Sequence, residues 1–500
     1  MKIATEKFLN ELESLCEKRK NEIRNAKDRN DECGRIFYVS ADGCDENDGL
    51  SKDSAWRTLG KVSTYEFAAG DTVKFRRGDI FRGFVKTRPQ VKYCAYGEGE
   101  KPKFYGWEKD LADPSLWTLA YPEFKIWRLK DLILDCGTLV FNGGEEHSRK
   151  LIPSYNGARF VCREDEKKDF FIAEQMTRDL DIVCIYCEKT TQKPSKGEDF
   201  PVPDLDWESK GWLFLRCDRG NPGDVFKSIE ALPRRHMFTV GSNDGVTIDN
   251  LCLKYIGTHA ISAGGNVKDL TVTNCEIGWV GGAIQHYFGT DPNYPEGRRG
   301  SVTRYGNGVE IYGGCDGYLV KNCYIYQVYD AGITHQITTR GKKYELKNIR
   351  YESNLVERCV YSIEYFLDQN NGEDGSVIDG CVMENNILRF SGFGWGQQRH
   401  NVDTPAHIKG WSYTNTARNY SIRGNIFDRA AYRMIHIVAK DEESMPEMSE
   451  NTYIQPLGAS LGSFGANKIS EPPLLVFDED AEEKIKTILK DKNAKAVIFS

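Results

Sequence analysis

The chain has 500 residues and a formal net charge of −7, with 47 glycines, 25 tyrosines and 24 phenylalanines. That length exceeds one ordinary compact core, and the composition suits many short strands joined by turns, not helix bundles or disorder. No basic block stands out, which argues against nucleic acid or an anionic membrane as partner.

No apolar stretch follows Met1, so neither a signal peptide nor a membrane span is read there. The expectation is a cytoplasmic protein whose fifteen cysteines are reduced thiols. Cys184 and Cys187 form a CxxC pair inside a strand-like run. Positions three apart on a strand face opposite ways, and no second pair stands at zinc-site spacing. Neither a metal nor another cofactor is expected.

Over residues 5–28, Phe8, Leu12, Leu15 and Cys16 recur at helical spacing. This helix, within a unit 1–34, is read as the cap that a solenoid end needs. A helix through which two copies pair is the alternative, which leaves a homo-oligomer open. Strands follow at 35–40 and 69–75, with an acidic turn cluster at 41–49 and a short helix at 55–59. They are assigned to a first solenoid part, 35–104. From 105 to 235 strand-like runs are separated by long polar loops without a repeat, which predicts an inserted β-rich subdomain, such as a sandwich.

From Gly245 an imperfect repeat emerges. Its units start at Ile248, Val272, Val320, Tyr351, Met383 and Ile422. A period in the twenties with longer excursions is the pattern of stacked coils carrying loops on one face. The fold class is therefore all-β: a right-handed parallel β-helix with an inserted subdomain and short terminal helices. The main solenoid is placed at 236–475. A tail at 476–500 holds a helix over 478–493 and a last strand. Asn stands third in four of the six units, as Asn250, Asn274, Asn322 and Asn385. The expectation is a ladder of these amides, with Cys275 and Cys323 stacked inside beside it.

In such a solenoid, equivalent positions on successive coils lie about 4.8 Å apart. With Ile261, Ile333, Ile363 and Ile435 taken as inward markers, the next positions are Ser262, Thr334, Glu364 and His436. Gln285 is placed in the same row, and Glu310 follows Val309 in the same sense. Asp330 sits just before the Gly332 strand. Glu310, Asp330 and Glu364 are the candidate catalytic residues. His286, His335, Gln336, Tyr365, Trp395, Arg399 and His400 are the candidate substrate-binding residues. The glycine-rich segment 392–400 is read as an aromatic wall and 288–305 as a rim that includes Arg298 and Arg304.

A shallow groove lined by carboxylates and aromatic rings suits a carbohydrate. Ring faces stack on sugar C–H faces, and paired carboxyl groups supply the acid and the base or nucleophile of glycoside hydrolysis. The expected function is hydrolysis of an oligosaccharide from one end. A polysaccharide lyase, with His335 as base, and a non-catalytic glycan-binding solenoid are the alternatives.

Phe37-Tyr-Val-Ser-Ala-Asp-Gly43, Trp56-Arg-Thr-Leu59 and Gly70-Asp-Thr-Val-Lys-Phe75 resemble the opening of pectate-lyase-like right-handed β-helix proteins. Gly306-Asn-Gly-Val-Glu310 followed by Val328-Tyr-Asp-Ala-Gly-Ile-Thr-His-Gln336 resembles a pattern of bacterial β-helix glycoside hydrolases. The resemblance implies a carbohydrate-active enzyme. The chain lacks the paired-Asp, Gly-His-Gly and Arg-x-Lys motifs of polygalacturonases and the calcium-binding carboxylates of pectate lyases, which leaves the reaction open.

Overall fold

The computed structural model describes residues 2–29, 31–151, 173–186, 210–287, 302–369, 372–399, 405–466 and 472–499. Three long sheets run side by side, of 10, 11 and 10 strands, and the chain visits them in turn. One coil, for example, is Cys315–Lys321, Tyr324–Val328 and Ala331–Thr338. Each strand pairs in parallel with its counterparts on the coils before and after. This is a parallel β-helix. Strand alternation turns Val320, Ile325, Val309, Ile333 and Ile363 into one continuous inner core. Among the described residues no helix is long and apolar enough to cross a membrane.

The helix Glu6–Arg24 forms where expected but covers a side of the solenoid, not its end. Its buried Leu12, Cys16 and Ile23 lie on Tyr324, Leu355, Ile387 and Ile454, which point outward from the 11-stranded sheet. The first coil is closed instead by Trp56, Tyr65 and Phe67 packed on Phe37. The last is closed by Phe477, Ile485 and Leu489 around the helix Ala481–Thr487. Lys2–Ile3 pairs with Lys495–Phe499, so the two chain ends share one sheet edge.

The Asn ladder exists, shifted by one residue from its expected position. Asn250, Asn274, Asn322 and Asn385 have positive φ, between 51° and 64°, as do Ser353 and Gly424 in their units. That left-handed turn between two strands is what selects Asn or Gly there. The stack is built by the following residues: Asn354, Asn386, Asn425 and Asn451. Each donates its Nδ2 to the next side chain at 2.8–3.0 Å, ending on Asp491, and to a backbone carbonyl of the preceding coil at 2.9 Å or less. Cys275 and Cys323 occupy this inner column in the earlier coils and are buried. Asn386→Leu would strip the backbone N–H and Nδ2 of Asn354 of their acceptor. Each buried donor so orphaned costs roughly 1–3 kcal/mol. A clear drop in the thermal unfolding midpoint is expected, against little change for Asn385→Gly on the turn.

Three long excursions leave the solenoid at one corner, between the 11-stranded sheet and the sheet of Ala331–Thr338. The first lies between Lys103–Tyr105 and Phe238–Gly241 and forms the inserted subdomain. Its six-stranded sheet and a three-stranded one pack together through Leu129, Ile182 and Leu213 against Leu139, Phe141 and Ile229. The second is a hairpin of Ala283–Tyr287 with Val302–Tyr305. Gln285 therefore lies in a hairpin and not in the solenoid row where the pattern placed it. The third carries the 3-10 turn Trp395–Gln398. Stacked at one corner, these excursions form a wall along one end of the strands that carry the carboxylates.

Candidate active site

Cross-strand register builds the site. Ser262, Glu310, Thr334, Glu364, Lys409 and His436 pair in sequence, so they form one outward row. Glu310 and Glu364 are two coils apart, about 9.6 Å along the solenoid. Two residues further along the strands, Tyr312, Gln336 and Phe366 form a second outward row. Trp411 extends it, with its ring 4.3 Å from that of Phe366. Tyr312 and Trp411 are 37% and 36% exposed, which leaves ring faces open beside the carboxylates. Asp330 lies at the corner, immediately before Ala331–Thr338, on the coil between the two glutamates.

Glu310 is buried in a cradle of donors. Nδ2 of Asn307 and Nε2 of Gln336 donate to its Oε2, the latter at 3.2 Å. Nε2 of His259 lies 3.1 Å from Oε1. The backbone N–H of Asn307 donates to Nδ1 of His259 at 2.9 Å. Nδ1 is thus an acceptor, so neutral His259 carries its proton on Nε2 and donates it to Glu310. Burial holds the His259 pKa well below its ordinary value, which keeps the ring neutral. Burial also pushes Glu310 up to about 8, helped by the nearby charges of Asp330 and Glu364 and opposed by Asn307 and Gln336. Glu310 is therefore protonated at neutral pH. All its described partners are donors, so its proton is left for an incoming oxygen.

Glu364 accepts from Nε1 of Trp411 at 2.8 Å. Its pKa is raised by burial first and by Asp330 second, and held back by Arg399, Trp411 and Lys409. Asp330 is gripped by Nη1 of Arg399. The Arg399 guanidinium lies 5.6 Å from the centre of the Tyr361 ring, and Lys409 Nζ lies 5.8 Å from it. Two carboxyl groups with raised pKa thus flank an Arg-paired aspartate. Among the described residues no cluster of side chains suits a metal ion.

The structure gathers Glu310, Asp330, Glu364, Gln336 and Arg399 in one place. It separates three other candidates from them. His335 and Tyr365 follow the outward row by one residue, so strand alternation turns them inward. His335 is fully buried, its Nδ1 2.8 Å from the Tyr351 hydroxyl and its ring stacked on Tyr365 at 5.4 Å. Neither can reach a ligand in the groove, and a lyase base at His335 is ruled out on the same ground. Trp395 is buried against Tyr329, its Nε1 donating to the Gln327 carbonyl at 2.8 Å. It fastens the third excursion to the solenoid, and the exposed ring of that segment is Phe393. The His286 side chain, His400, and Arg298 of the expected rim lie outside the described residues, as does Cys187 of the CxxC pair. Arg304 is buried, donating to the carbonyls of Gly282 and Gly137.

His259, Asn307, Lys409 and Trp411 escaped the sequence reading. Ala406–Gly410 is a short strand with a single strong marker, Ile408, and without it the register could not be carried to Lys409 and Trp411.

No protein-family model and no curated protein matches the chain. Solved structures similar to it include the GH136 lacto-N-biosidase from Eubacterium ramulus, at 11% identity and a TM-score of 0.38 over 98% of this chain and 71% of that one. The complex of XylC with xylose matches at 12% identity and a TM-score of 0.35 over 92% and 82%. A rhamnogalacturonan lyase matches at 9% identity and a TM-score of 0.38 over 84% and 74%.

Proposed function

We propose that the protein hydrolyses glycosidic bonds in a short glycan, with Glu310 as general acid, Glu364 as general base, and Asp330 as a fixed charge beside the reacting sugar. The observation that carries this reading is the placement of two buried carboxyls on one outward row, in unequal surroundings, two coils apart. Two coils separate their backbones, roughly 9.6 Å, so the two carboxyls stand on one face with space for a sugar and a water between them. Glu310 delivers its proton to the leaving oxygen. Glu364 takes a proton from water as that water attacks the anomeric carbon. The charge of Asp330, held by Arg399, favours the positive character that develops on the sugar ring. Trp411 and Tyr312 offer faces for the sugar C–H surface.

The test is turnover on a panel of aryl glycosides and oligosaccharides, reading new reducing ends and ultraviolet absorbance together. Wild type is run beside Glu364→Gln and Asp330→Asn. Reducing ends without absorbance, with losses of about 10²-fold or more in Glu364→Gln, are expected. The profile of kcat/KM against pH should be a bell. Its alkaline limb falls near the Glu310 value of about 8, and its acid limb lies above the ordinary carboxylate range because Glu364 is raised. Growing absorbance would replace hydrolysis by elimination. Silence across the panel would favour a glycan-binding solenoid.

A further inference from the structure

A pocket of about 320 Å³ opens at the corner, beside the carboxylate row. Val360, Phe393, Pro405, Ala431 and Tyr432 give it largely apolar walls, Gln397 is its one amide side chain, and Tyr361 and Arg399 form its side towards the carboxylates. Arg399 belongs to both places: it lines the pocket and grips Asp330. The volume lies at the lower end of small-ligand sites, about 300–1,000 Å³.

Strand direction orders the parts. Tyr361 begins its strand at the pocket, Glu364 follows three residues on, and Phe366 with Trp411 comes last. From Tyr361 to Phe366 is about 16 Å of extended chain. A ligand lying along the strands would thus have one end in the apolar pocket, its middle over Glu364 and Asp330, and its other end on the aromatic row.

The two ends differ in chemistry. A sugar in the pocket would bring several hydroxyls against Val360, Pro405, Ala431 and Phe393, whose side chains offer no partner, and each buried polar group left so is costly. A planar ring loses nothing there and can lie under the Arg399 guanidinium as the Tyr361 ring does. Gly392 keeps the space: it has φ +79°, and a Cβ there would meet Pro405 and Ala431 at 2.5–2.8 Å.

We infer that this pocket receives an aromatic ring carried by the substrate, on the far side of Glu364 from Glu310, so the preferred substrate is a glycan bearing an aromatic substituent. The inference rests on the proposed function for the glycan, and on the pocket alone for the ring.

The experiment is saturation-transfer NMR on the full chain with 4-nitrophenol and 4-methylumbelliferone as probes. Ala431 is exposed at the pocket wall, so Ala431→Trp fills the space without touching the core. Phe393→Ala, at another exposed wall residue, opens it. Saturation transfer in wild type, lost at least tenfold in Ala431→Trp and weakened several-fold in Phe393→Ala, is the expected result, with unchanged unfolding midpoints. No transfer in wild type, or equal transfer in Ala431→Trp, would overturn the proposal. Ring binding that Ala431→Trp removes, together with no hydrolysis of any aryl glycoside, would support the ring site and overturn the hydrolytic reading instead.

Discussion

Glu310→Gln is expected to lower turnover by about 10²–10⁴-fold, the span that a positioned general acid, the role proposed for Glu310, contributes. The loss should be largest for poor leaving groups, such as a sugar alcohol, and should shrink for 4-nitrophenol, which departs with little help. Glu364→Gln should show no such dependence, because a base acts on water and not on the leaving oxygen. A leaving-group series on the two variants therefore separates acid from base. Glu310→Gln has an opposite effect on stability. Glu310 has an ordinary value of 4.5 and about 8 in the folded protein. The native state thus holds its proton more tightly than the unfolded chain, and the advantage is lost as pH rises from about 4.5 through 8. Gln carries no proton to lose. Wild type should fall in unfolding midpoint over that window relative to Glu310→Gln. An inactive variant that is the more stable of the two at pH 8 would exclude misfolding as the cause of inactivity. Equal pH dependence of the two midpoints would mean that Glu310 is not the group held protonated.

Arg389→Met should give a large loss of stability, because Arg389 joins the buried carboxylates beneath the N-terminal helix. Arg389 is 1% exposed, donates to Asp428 at 2.7 Å and Glu357 at 3.3 Å, and reaches Glu13 on the N-terminal helix. Removing the cation from a buried pair costs about 3–5 kcal/mol, mostly through the anions left behind. The lower end is expected, because Asp428 keeps Arg429 and Glu357 keeps Lys20 and the Tyr324 hydroxyl. Glu13 is more than half exposed on its side chain, so Glu13→Gln should cost below about 1 kcal/mol. The midpoint of thermal unfolding and protease cleavage at the helix report the two effects. Cleavage that rises in Arg389→Met and not in Glu13→Gln would show that the buried cation, not the surface carboxylate, fastens the helix. Equal behaviour would refute this.

Much of the fold was legible because stacking repeats its own pattern. Each coil needs a residue tolerant of a left-handed turn, then one that fills an inner column, then alternating apolar residues. The units from Ile248 to Ile422 show all three. The ladder stands one residue beyond its expected place because Asn serves two purposes in adjacent positions. Asn385 makes the turn and Asn386 makes the ladder, and composition alone does not tell them apart. In the site, alternation with a period of two correctly put Glu310 and Glu364 outward. The same period puts His335 and Tyr365 inward. Their polar chemistry suggested a groove, but His335 meets its needs inside through Tyr351, and burial pushes its pKa down to about 3.

By itself the sequence determined the stacked-coil architecture and the alternation of inward and outward residues along its strands, because both follow from local periodicity. Only the tertiary structure decided that the helix covers a side, that three distant excursions meet at one corner, and that His259 and Asn307 cradle Glu310. It also decided that Arg399 reaches Asp330, and that Trp411 reaches Glu364. The physical reason is one of range. Strand period and turn preference act over a few residues, whereas burial, pairing and proton affinity depend on neighbours such as Trp411, His259 and Arg399, brought from 47 to 69 positions away by coils of unequal length.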